Sequence, residues 1–172
     1  DWCQRFTGEA LDRDGALAAR GRADEARLAA LISNPYFSRP APKSLDRNGF
    51  DPSVLEGLSP EDGAATLTRF TASAIAQSAA LVPEAPKLWV ICGGGRRNPT
   101  LMRELKQLLG APRVVSAEEV GLDGDAMEAE AWAYLAVRCL KGLPITFPGT
   151  TGAPGPLSGG ITAAPAAPPA TG

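Results

Sequence analysis

L-W-V-I-C-G-G-G-R-R-N-P-T-L-M, running from Leu88 to Met102, is the stretch that decides how this chain folds. Five consecutive apolar residues, Leu88 to Cys92, have the length and the bounding residues of a strand buried on both faces, as in a parallel sheet. Gly93, Gly94 and Gly95 end it. Asn98 is a good helix N-cap, and Pro99 suits the first helical position because its missing N–H has no helical partner to lose. Leu101, Leu105, Leu108 and Leu109 then recur at helical spacing as one buried face. A second short strand is expected over Arg113 to Val115. Strand, glycine turn, helix and strand make an α/β pattern.

Upstream, Ser59 caps a further helix with Pro60 at its first position and Glu61 and Asp62 at its positive end. Leu67, Phe70, Ala74, Ser78 and Leu81 are its expected buried stripe, as far as Pro83. Asn34 to Phe50 carries three prolines and a glycine, which prevent regular structure. Tyr36, Phe37 and Phe50 give that loop apolar anchors and favour order. The first 32 residues read as two short helices broken near Gly21, with Ala16, Leu17, Ala19, Leu28, Leu31 and Ile32 as apolar positions. Downstream, Ser116 and Glu119 fit a capping box, or a short connecting turn of similar sequence. A helix from about Asp125 to Lys141 is apolar nearly all round (Met127, Trp132, Tyr134, Leu135, Val137, Leu140) and is expected to lie between layers. Residues 1–163 form the expected domain. The Pro/Ala-rich residues 164–172 carry too few large apolar groups to pack and are expected to be disordered.

Composition narrows the function. The 172 residues are 44% apolar and 21% charged, an ordinary soluble globular balance. There is no histidine, which removes Ser-His-Asp and Cys-His chemistry and most zinc sites. Net charge is −2 with scattered lysines and arginines, so the basic stripe of a nucleic-acid binder is missing. Cys3, Cys92 and Cys139 lack CxxC spacing, which argues against a disulfide framework and fits a reducing cytoplasm. No apolar run nears the roughly 20 residues of a membrane span. Residue 1 is an aspartate rather than methionine, a hint that the sequence begins partway through a longer protein.

Three places could carry chemistry. Gly93, Gly94 and Gly95 lack side chains at the carboxyl end of a strand, so a ligand could touch the backbone. The helix start beyond them presents N–H groups and a positive dipole end to an anion. Asn98 stands where the dinucleotide fingerprint needs a glycine, and the Walker A lysine is absent. Spacing alone therefore leaves phosphate binding and a plain tight turn both open. Glu128 sits in the first turn of an apolar helix, where the helix dipole alone would accommodate a carboxylate. On a buried helix it would need a partner, such as a sugar hydroxyl. Lys43, Ser44 and Arg47 share a loop that could hold an anion or could be solvated surface.

N-P-Y-F-S-R-P-A-P-K-S, V-I-C-G-G-G-R-R-N-P-T-L-M, G-L-D-G-D-A-M-E-A-E-A-W-A-Y-L-A and L-P-I-T-F-P-G-T-T-G-A, in this order, resemble the anhydro-N-acetylmuramic acid kinases. The resemblance implies the C-terminal lobe of a sugar kinase of the actin-like ATPase (ribonuclease H-like) α/β fold, incomplete at its N-terminal side. It implies ATP and Mg2+, the metal held mainly by an N-terminal lobe. It also implies hydrolytic opening of the 1,6-anhydro ring and phosphorylation of O6. By this likeness Gly93, Gly94, Gly95 and Asn98 are expected on the nucleotide and Glu128 on the sugar. Lys43 and Ser44 match a P-P-K-S loop, although L-D-R-N follows where T-G-R-E is usual. The aspartate expected to activate water belongs to a D-T-G-P-G-N segment expected upstream of residue 1, so no catalytic residue is expected within the chain. The expected partners are the N-terminal lobe and small molecules, with a homodimer of the full-length enzyme allowed. The chain alone is expected to be inactive; the alternative is a nucleotide- or sugar-binding module derived from such a kinase.

Overall fold

The computed structural model describes residues 1–110 and 113–163, without the side chain of Arg47. The tail expected to be disordered, residues 164–172, lies outside the described residues. By contacts the chain divides into two units, Asp1–Met127 and Glu128–Gly172.

The first unit is α/β. Its helices are α1 (Trp2–Thr7), α2 (Ala16–Arg20), α3 (Glu25–Ile32), α4 (Pro60–Gln77) and α5 (Pro99–Leu109). Its strands are β1 (Leu88–Ile91) and β2 (Arg113–Ser116), joined through α5 and paired in parallel. Parallel strands need such a crossover because a tight turn reverses direction. The register sets Leu88 against Arg113 and Ile91 against Ser116.

Helix α4 organises the unit, with α2, α3 and α5 packed on it. Ser59 Oγ accepts from Asp62 N at 3.0 Å and Pro60 holds the first helical position, as expected. One apolar cluster joins Ala72 of α4, Met102 and Leu105 of α5, and Val114 of β2, with Trp89, Ile91, Leu101, Leu108 and Leu109 against it. A second joins Leu17 and Ala18 to Ala64. The α1 indole closes this end: Trp2 Nε1 donates to Pro60 O at 2.8 Å, and its ring occupies the space where a Cβ on Gly63 would fall.

Four local expectations need correction. The N-terminal region has three helices rather than two, because Gly8 at φ 78° ends α1 before the break at Gly21. Ala18, not Ala19, is buried. In α4 the fully buried residues are Gly63, Ala64, Ala65, Thr66 and Ala72, whereas Leu67, Phe70, Ala74 and Ser78 are half-buried and Leu81 is exposed. Small residues win at 63–66 because four consecutive helical positions face in every direction and α1, α2 and α3 enclose the start of α4. Finally, β1 is exposed at Leu88 and only half-buried beyond it. The described sheet has two strands, so a single neighbour covers β1.

The second unit is led by α6 (Met127–Leu140), followed by α7 (Pro148–Thr151) and an antiparallel bridge between Thr146 and Leu157. None of the described α6 residues is buried, and Trp132 and Leu140 are 65% and 70% exposed. The expectation of a helix between layers is thus not met: residues 128–163 supply too little chain to cover a helix apolar on every side. Within the unit, Arg138 Nε donates to Pro144 O at 2.5 Å and its guanidinium lies 5.5 Å from the Tyr134 ring centroid.

Candidate functional site

The glycine turn begins where β1 stops. Gly93 adopts φ 68°, a backbone region that strains residues with a Cβ. Gly94 to Arg97 then form one 3-10 turn, and Asn98 starts α5. The helix therefore does not begin directly after the glycines; the turn puts one more loop between strand and helix. Gly93, Gly94 and Gly95 are all exposed. A Cβ on Gly93 or Gly94 would meet no atom within 4 Å, and one on Gly95 would meet only Leu101 Cδ2 at 3.3 Å. Nothing in the described protein crowds Gly93 or Gly94, so the space in front of both is open.

Asn98 caps the helix that follows. Its Oδ1 accepts from Leu101 N at 2.9 Å, the N-cap bond expected from sequence. Gly15, at φ 64°, lies so close that a Cβ there would come within 2.2 Å of Asn98 Oδ1. Thr100 Oγ1 donates to Gly15 O at 3.0 Å. The N-terminal segment thus seats the start of α5 and fixes where the turn ends.

Arg96 was missed by sequence reasoning. It is buried, 8% exposed, directly behind the turn. Its Nε donates to Glu118 Oε1 at 2.7 Å and its Nη1 to Gly93 O at 2.8 Å. Nη1 also lies 3.0 Å from Asp125 Oδ1, and Nη2 lies 2.7 Å from Glu118 Oε1. Asp125 pairs with Arg97 as well. Gly93 N donates to Gly124 O at 3.2 Å, so both polar groups of Gly93 are held. A Cβ on Gly124 would come within 2.3 Å of Arg96 Nε. The only signals in the sequence are a cation after three glycines and two distant acids.

The electrostatics agree with this geometry. The Glu118 carboxyl is held down at about 2, first by a backbone N–H and then by Arg96. Asp125 is lowered by its hydrogen bond to Arg96, with the charges of both arginines helping. Arg96 is held firmly protonated by Asp125 and Glu118. An opposite charge in hydrogen-bond contact favours the ionised form of each partner.

The remaining candidates belong to other elements. Lys43 Nζ donates to Tyr36 O and Phe37 O, each at 3.0 Å, and lies 4.8 Å from the Tyr36 ring centroid. Its ammonium therefore ties the loop to itself. The loop is ordered as expected, with the rings of Phe37 and Phe50 packed against Phe70 of α4. Ser44 is exposed, and the Arg47 side chain is outside what is described. Glu128 lies in the first turn of α6, in the second unit, and is exposed. Asp123 serves as a turn cap, accepting from Asp125 N and Ala126 N. Among the described residues, no group of three His, Cys, Asp or Glu side chains could hold a metal ion. Nor is any described helix long and apolar enough to cross a membrane.

Comparison with known proteins shows the family. The family model described as anhydro-N-acetylmuramic acid kinase matches residues 1–164. An anhydro-N-acetylmuramic acid kinase of Rhodospirillum rubrum is 54% identical over 160 residues, 93% of this chain and 42% of the relative. Relatives of the same name from Mesorhizobium japonicum and Caulobacter vibrioides are 55% and 56% identical over 150 residues, 87% of this chain and 40% of each relative. The chain thus spans about two fifths of the length of the curated relatives it matches. It belongs to the anhydro-N-acetylmuramic acid kinase family.

Proposed function

We propose that the chain works as the C-terminal part of an ATP-dependent kinase that opens the 1,6-anhydro ring of anhydro-N-acetylmuramic acid with water and phosphorylates O6, giving N-acetylmuramic acid 6-phosphate. The observation that carries this reading is the exposed, side-chain-free turn at the end of β1, in a chain of that family. Gly93, Gly94, Gly95 and Asn98 lie against the nucleotide, and Asn98 also caps α5. The α/β unit is part of the C-terminal lobe of an actin-like fold. Glu128 contacts the sugar. Glu118 and Asp125, which hold Arg96, are committed to arginines, and among the described residues no group of three acids could hold Mg2+. The metal and the phosphate-binding segment belong to the N-terminal lobe, and the aspartate that activates water belongs to a separate D-T-G-P-G-N segment. The enzyme acts in the cytoplasm, in cell-wall recycling.

Two substitutions in the full-length enzyme test this reading. Gly94→Val puts a branched side chain where the ligand's space should be, and calorimetric titration should show weakened nucleotide binding while circular dichroism shows an intact fold. Unchanged affinity in a folded variant would return the turn to a purely structural role. Glu128→Gln should impair turnover far more than Glu130→Gln; equal, near-normal activity of both would remove Glu128 from the sugar site. Residues 1–172 alone should release no ADP from ATP in the presence of the anhydro-sugar, and sugar-dependent release would refute the division of labour.

A further inference from the structure

We propose that Arg96 is a positioning residue that fixes the shape of the Gly93–Gly95 turn for the nucleotide, and that it does so by geometry rather than by lending its charge to the phosphates. This rests on the reading of the turn as nucleotide-binding. Guanidinium is the one side chain that presents five N–H donors in a rigid plane. Arg96 uses that plane on three separate segments: the Gly93 carbonyl, Glu118 after β2, and Asp125 ahead of α6. Gly93 needs this support. Its positive φ and its exposed position leave it few contacts of its own, and a glycine samples more backbone states than any other residue. With Gly93 O held by Arg96 and Gly93 N held by Gly124 O, the turn is fixed from behind while its front stays open.

Charge on the ligand is the competing role, and the arrangement speaks against it. The Arg96 side chain is 4% exposed. The charged groups facing it are Glu118, Asp125 and, through Asp125, Arg97. Two arginines and two carboxylates leave no net positive charge to offer a phosphate. The pull on an anion must then come from the N–H groups of Gly94 and Gly95, since that of Gly93 goes to Gly124 O, and their direction follows from how Arg96 holds Gly93.

Arg96→Gln and Arg96→Lys in the full-length enzyme separate these roles. Lysine keeps the charge but, as a compact ammonium on a flexible stem, cannot bridge three segments in one plane. Both variants should raise KM for ATP about tenfold, with kcat and the sugar KM within about twofold of the parent. Lysine restoring the parental KM would overturn the proposal in favour of charge. Unaltered KM values with activity lost in proportion to unfolded protein would overturn it in favour of a merely structural residue. Should neither variant fold, Glu118→Gln decides: removing one exposed arm of the grip should raise the ATP KM about threefold, and no rise would overturn the proposal. Gly94→Val keeps the two readings apart. If it weakens nucleotide binding while the Arg96 variants do not, only the role of Arg96 fails; if it too leaves binding unchanged in a folded protein, the nucleotide reading of the turn fails with it.

Discussion

Helices α5 and α6 both carry several large apolar residues, yet one has a core and the other does not. In α5 the apolar residues keep to one face: Leu105 is fully buried and Met102 nearly so, while Arg103, Lys106 and Gln107 stay out of the core. In α6 Trp132, Tyr134, Val137 and Leu140 point in several directions and all are exposed. A single stripe can be covered by one neighbouring layer, and α4 with the β1–β2 pair provides it. A helix apolar on all sides must be surrounded, which takes more chain than its own unit contains. Apolar sequence is a demand for cover, and only the rest of the fold can meet it. The relatives are more than twice as long as the part matched here, and we propose that this remainder covers α6 in the full-length enzyme.

The strongest way to break the contrast is at Leu105. Leu105→Ala should lower stability by about 2–5 kcal/mol in a denaturant melt, since a fully buried leucine leaves a cavity that neighbours fill only in part. A loss well under 1 kcal/mol would mean that the α4–α5 contact is not a core. Next comes Asn98→Ala, which removes the cap joining the glycine turn to α5 and should cost about 0.5–2 kcal/mol. The same melt measures it, and a neutral result would separate the turn from the packing behind it.

Acid titration sharpens the picture at the Arg96 cluster. Glu118 is lowered from 4.5 to about 2, so its contribution is complete above 4.5 and is lost as pH falls towards 2. Asp125, also lowered, acts in the same direction. The Arg96 Nε–H resonance in NMR should hold its position through pH 4.5 and move only as pH falls towards about 2; movement centred near pH 4.5 would show that Glu118 is not gripped. The smallest effect belongs to α6. In residues 1–172 alone, Leu140→Ser should change stability by no more than about 0.5 kcal/mol, because a side chain 70% exposed has little burial to lose. A larger loss would show that α6 already has cover.

The candidate site divides along the same line. Ser59 and Asn98 were legible as caps because a cap is settled within about four residues of chain. The glycine turn was legible as an open turn for a similar reason: absent side chains need no partner to be read. The ordered aromatic loop could also be anticipated, from Tyr36, Phe37 and Phe50. Lys43 could not. As an anion-binding cation and as a tie for its own loop it has the same sequence, and only the positions of the Tyr36 and Phe37 carbonyls tell the two apart.

By itself, then, the sequence determined the α/β order of elements, the helix starts at Ser59 and Asn98, the bare backbone at Gly93 to Gly95 and, through its motifs, the family. These depend on hydrogen bonds and conformational preferences that act over a few residues. Tertiary structure alone decided which residues of α4 are buried, that β1 has one strand neighbour among the described residues, and that α6 finds no cover within its own unit. It also decided that Arg96 grips a glutamate 22 residues away. Burial and ion pairing depend on what arrives from elsewhere in the chain, and no local pattern records the arrival.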